Sequence, residues 1–156
     1  MTLQELFDMA AKGAAMLFAT QGEVHPMLHG TGPTGAPIFI PLIWEDQREK
    51  TRVLKRLRMA LPAFGVRQYA IISEAWIVEC WAKDAQKALD RLARFETLAD
   101  HPDRREALTV TAADKDGNVI GGYFYILRPE HGPPKLSPLH NDDVRETLGD
   151  FTDLLL

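Results

Sequence analysis

The sequence predicts one α+β domain, a mainly antiparallel sheet of about five strands with helices packed on it. Three observations predict it. Residues 67–79 form a long run of alternating, strand-favouring side chains, and 105–128 form two more around Asp116-Gly117, a pair that supplies the positive φ of a tight hairpin. Apolar residues recur at spacings of three and four over 3–14 and 46–61, which predicts two amphipathic helices. The length, 156 residues, allows one domain (1–156) with a real core and is short for two.

Taken in order, the first helix covers 3–14. Thr2 stands at its N-cap with Glu5 three residues on, a capping-box pattern, and Leu3, Leu6, Phe7, Ala10 and Ala14 share one face. Residues 15–20 then begin a strand, Gln21-Gly22 turns the chain, and 24–29 is extended. Gly30 to Gly35 form a loop. Residues 38–40 make a short strand between Pro37 and Pro41, and prolines, which lack an amide donor, place it at a sheet edge.

The second helix starts at Asp46, with Glu49 positioned to reciprocate. Val53, Leu54, Leu57, Leu61 and Phe64 form its buried stripe, and Pro62 and Gly65 stop it. In the long strand, Ala70, Ile72, Glu74, Trp76 and Val78 fall on one face. A helical insertion occupies 82–100, with Ala85, Ala88, Leu89, Leu92 and Phe95 as the inner face of a helix over 84–98. His101, Pro102 and Asp103 make a turn. After the hairpin, Pro129, Pro133, Pro134 and Pro138 mark 129–140 as a Pro-rich loop, ordered in itself or laid over a sheet edge. Asn141 caps a last helix with Val144, Leu148, Phe151 and Leu155 inward.

With the insertion set aside, this element order resembles that of roadblock and profilin-like domains. More locally, Ser73-Glu-Ala-Trp76 followed by His101-Pro-Asp-Arg-Arg-Glu-Ala-Leu108 and a hairpin is similar to small uncharacterised bacterial and bacteriophage proteins. That resemblance covers about a third of the chain and implies no particular activity.

Bulk properties exclude more than they assign. The formal charge of −4 gives no overall attraction to nucleic acid or an anionic membrane. A single cysteine, Cys80, forms no intrachain disulfide and no thiolate zinc site. The N-terminus has neither the basic start nor the apolar stretch of a signal peptide, and no apolar run reaches a membrane span, so a cytoplasmic location is expected.

The motifs dissolve on inspection. Gly30, Gly32 and Gly35 carry the spacing of a dinucleotide fingerprint, yet strand-like residues follow where a helix must open, and Pro33 removes a donor. Asp114 to Asn118 lacks the flanking acids of a calcium loop, since Ala112 and Tyr123 stand there. His25 and His29 lie too far apart on extended chain to share an ion, though each could meet His131 or His140. Ser73 has no glycine elbow and Cys80 no basic neighbour. No cofactor and no metal are expected.

Glu74 stands out because a carboxylate between Ile72 and Trp76 is costly to bury unless paired. Arg104 and Arg105 are its expected partners, in a structural pair or in a polar binding site with Trp76 and His101. The expected function is an interaction or assembly module that forms homodimers, with an edge strand or a helix face as interface. One alternative is a metal-assisted or acid–base hydrolase using Glu74 and His101. A second is nucleic-acid binding through the basic helix 46–61, where Arg48, Lys50, Arg52, Lys55, Arg56 and Arg58 cluster without interleaved aromatics.

Overall fold

The computed structural model describes residues 1–78, 100–141, 151, 154 and 155. The elements run α1 (Leu3–Gln21), β1 (Met27–Thr31), β2 (Pro37–Pro41), α2 (Gln47–Ala63), β3 (Gln68–Ile77), β4 (Arg105–Asp114), β5 (Val119–Leu127) and β6 (Lys135–Leu136). All six strands join one sheet in the order β2-β1-β3-β4-β5-β6, every pair antiparallel. The α+β class and antiparallel sheet are as expected. The additional strand is the two-residue β6, contributed by the Pro-rich loop.

Local chemistry sets the element ends. Thr2 Oγ1 accepts the Glu5 N–H at 3.1 Å while Glu5 Oε2 accepts the Thr2 N–H at 2.7 Å, so the capping box is closed. Helix α1 then runs on to Gln21, and 15–20 are helical rather than the start of a strand. Phe18 falls four residues after Ala14 and is buried, so helical burial overrides the strand preference of this stretch. Gly22, with φ 75°, ends the helix and donates its N–H to Phe18 O at 2.8 Å.

At the start of α2, Asp46 accepts the Glu49 N–H at 2.8 Å, but Glu49 bonds the Glu45 N–H rather than that of Asp46. At its end Phe64 is exposed, not part of the buried stripe. Gly65, at φ 71°, reverses the chain there, and Val66 takes the buried position instead.

The sheet has a core on each face. Leu6, Phe7, Ala10, Ala14 and Phe18 of α1 pack on Ala70, Ile72, Leu108, Val110, Phe124 and Ile126. Leu54, Leu57 and Leu61 of α2 pack on the opposite face with Leu28, Tyr69, Ile71 and Ala113. The β4–β5 hairpin closes as expected, with Gly117 at φ 85° and the Asp114 carboxylate accepting from the Asp116 and Asn118 amides. That carboxylate serves the turn.

Residues 129–140 do cover an edge. Ser137 donates its N–H to Tyr125 O at 2.9 Å, and Tyr123 and His140 exchange two backbone bonds of 3.0 and 2.8 Å. The helix expected over 84–98 lies outside the described residues, as does the body of the one expected after Asn141. Of the latter, Phe151 and Leu155 pack against the α2 core, and Leu154, off the expected stripe, is fully buried there.

Candidate functional site

Of the five residues singled out in the sequence, the structure brings Trp76, His101 and Arg104 together and parts Glu74 and Arg105 from them. Glu74 lies on the α1 face of β3 and its Oε1 accepts the Val24 N–H at 2.9 Å, in the connection between α1 and β1. Neither Arg104 nor Arg105 pairs with it, which corrects the expected ion pair. Arg104 stacks over the Trp76 ring at 5.0 Å and donates to His101 O. Arg105 points to the other face of the sheet, 3.4 Å from the centroid of Tyr125. Strand alternation accounts for the split, because adjacent residues leave a strand on opposite sides.

Glu74 and Trp76 therefore share the α1 face with a pair the sequence did not reveal. Arg128 forks onto Glu106 through bonds of 2.7 and 3.0 Å, one per carboxylate oxygen. Those bonds, then the Glu106 charge, hold the guanidinium above its ordinary pKa. The β4–β5 register, with Ala107 opposite Tyr125, puts Glu106 and Arg128 within reach across the sheet. His101 is buried in the turn before β4, its Nδ1 accepting the Asp103 N–H at 3.1 Å. Glu74 and His101 thus each bond backbone amides.

The remaining histidines are dispersed. His25 is exposed, 3.5 Å from Glu23. His140 stacks on Tyr123 on the α2 face, whereas His29 faces the α1 side against Phe39. Among the described residues no three His, Cys, Asp or Glu side chains converge as a metal site. Gly30 to Gly35 belong to the β1–β2 hairpin, whose loop closes with Gly32 N–H on Ala36 O at 2.9 Å.

A cleft does form elsewhere. Helix α1 lies mainly against β3, β4 and β5, leaving Met27 and His29 of β1 partly covered and Phe39 of β2 exposed. Gly13, Met16, Leu17 and Thr20 wall this cleft, and Met27, His29 and Phe39 floor it, around an open volume of about 330 Å³. Met16 is 61% exposed and Phe39 57%. Met9, also exposed, lies two turns before Met16 on the same stripe. The His29 ring meets Phe39 edge-on at 4.9 Å, and both of its nitrogens are buried without a hydrogen-bond partner. Burial lowers the His29 pKa, so the neutral imidazole is favoured. The cleft carries no formal charge and suits an apolar surface.

One sequence signal pointed here. Met9 and Met16 are seven apart, off the stripe of Leu6, Ala10 and Ala14, and Phe39 alternates against Ile38 and Ile40. Each marks an apolar side chain on the wrong side of its element. Comparison with protein-family models, curated proteins and solved structures finds no match to this chain.

Proposed function

We propose that the protein is an interaction module that assembles with a second copy of itself through the α1–β2 cleft. The observation that carries this reading is the uncharged cleft of about 330 Å³ whose lining includes the exposed Met16 and Phe39. A two-fold interface uses the same patch on both copies, and an uncharged apolar patch can meet its own copy without opposing like charges. Contiguous exposed apolar surface of this kind marks binding sites rather than ordinary surface.

The sheet edges favour a face over strand pairing. The bonds from Gly32 N–H to Ala36 O and from Leu42 N–H to Pro26 O set the alternation of the β1–β2 ladder. By that alternation Pro37, Phe39 and Pro41 direct their backbones outward, and only Phe39 has an N–H to offer. Such an edge resists a partner strand. The other edge is β6, only two residues long. The single cysteine, Cys80, suits a cytoplasmic setting for this assembly.

Sedimentation equilibrium tests the reading. The chain is expected to dimerise, and Met16→Lys or Phe39→Asp to weaken the dimer about ten- to a hundredfold, the worth of one buried large apolar side chain. A monomer at all concentrations, or a dimer unaffected by both substitutions, would overturn it.

A further inference from the structure

The outer face of α2 carries four cations and no carboxylate. Arg48, Arg52, Lys55 and Arg56 recur at helical spacing opposite the buried Leu54, Leu57 and Leu61, and all four are exposed. Among the described residues none of the four forms an ion pair. Two acids at the helix start, Asp46 and Glu49, accept backbone amides, and Glu45 precedes the helix. The concentration is local, since the whole chain carries −4.

A second observation concerns apolar exposure at the same place. Ile43, Met59 and Phe64 are 78%, 73% and 70% exposed, more than any other large apolar side chain among the described residues. Met59 lies within the basic stripe, four residues after Lys55 and three after Arg56. Ile43 precedes the helix and Phe64 caps its end. A basic helix face with Met59 set into it, and an exposed apolar side chain beside each end of the helix, is the composition of a surface that rests on anionic lipid.

We propose that the outer face of α2 docks the protein on an anionic bilayer. Arg48, Arg52, Lys55 and Arg56 contact the head groups, and Ile43, Met59 and Phe64 seat at the boundary with the acyl chains. A nucleic-acid duplex would use the same cations but leave Ile43 and Met59 in water, so lipid accounts for more of the surface. The remainder of the acidic chain is repelled by the same membrane, which makes attachment short-ranged, oriented and sensitive to salt. This surface lies across the sheet from the α1 cleft and does not depend on dimerisation.

Flotation of the full chain with vesicles tests the proposal. Phosphatidylcholine vesicles with about a third phosphatidylserine are expected to carry the protein at low salt, and pure phosphatidylcholine vesicles to leave it behind. Each cation is worth about fivefold in partitioning, so Arg52→Ala with Arg56→Ala should lower it about 25-fold. Met59→Ser with Phe64→Ser should lower partitioning and leave its salt dependence unchanged. Unaltered melting curves establish that these surface variants fold. No flotation of the parent chain at low salt, or full flotation of the arginine variant, would overturn the proposal. So would arginine-dependent binding to duplex DNA or RNA in place of vesicles.

Discussion

The two helices cover opposite faces of one sheet by different means. Helix α1 meets its face through Ala10, Ala11 and Ala14, with Leu6, Phe7 and Phe18 filling between them, and comes closer to the strands than α2 does. Helix α2 meets the other face through Leu54, Leu57 and Leu61. Small contact residues let a helix backbone approach, and the cost is that whatever lies beneath must be small too. Gly122 answers that need. A Cβ built there would stand 2.7 Å from the tip of the Phe7 ring and 3.1 Å from His140 O.

The difference governs which surfaces stay open. Close against β3 to β5, α1 covers β1 only in part and leaves Phe39 of β2 exposed, so His29, Phe39 and Met27 floor a cleft. Helix α2 covers Ile38 and Ile40 from below with its leucines, and turns a basic, partly apolar stripe to solvent. One face thus leaves a hollow beside its helix, while the other leaves the helix itself as the exposed feature.

Four measurements would break or sharpen this contrast. The largest effect is expected from Phe7→Ala, which empties the closest-packed point and should cost about 3–5 kcal/mol in denaturant unfolding. Gly122→Ala should cost about 1–3 kcal/mol through overpacking, and less in a Phe7→Leu background. If Gly122→Ala is neutral, the tight approach of α1 is not what constrains this position. On the α2 side, Tyr69→Phe should cost about 1–2 kcal/mol. The Tyr69 hydroxyl donates to Phe151 O and accepts the buried Leu154 N–H at 3.1 Å, which would lose its acceptor. A neutral result would mean that the C-terminal residues contribute little to the α2 core.

The smallest effect concerns pH. Burial depresses the His29 pKa in the folded state, so the unfolded chain binds this proton at higher pH than the folded one. The stability tied to neutral His29 is complete above the unfolded value, about 6.5, and is lost as pH falls through the lower folded value. His29→Phe should flatten that loss in urea midpoints measured from about pH 7 downward. An equal acid slope in both proteins would remove His29 as its source.

Much of the fold was legible in the residues. The capping box at Thr2, the Asp46 cap, the Gly117 hairpin and the proline-flanked edge each depend on chemistry within a few residues. The extension of α1 to Gln21 was not legible, because the stretch suits a strand until Phe18 finds its place in the core. The partner of Glu74 was hidden for the same reason. Its hydrogen bond comes from Val24, 50 residues away in sequence, on a connection whose path follows from where α1 packs.

By itself, then, the sequence determined the class of fold, the two-sided strands, the turns and the basic stripe of α2. These follow from periodicity and from backbone preferences that act over a turn or a strand. Only the tertiary structure decided that Arg104 and Arg105 part to opposite faces beyond reach of Glu74, and that Met16, His29 and Phe39 meet in one cleft. Such meetings depend on register and on how far a helix reaches across a sheet. Both are set by packing between segments far apart in the chain.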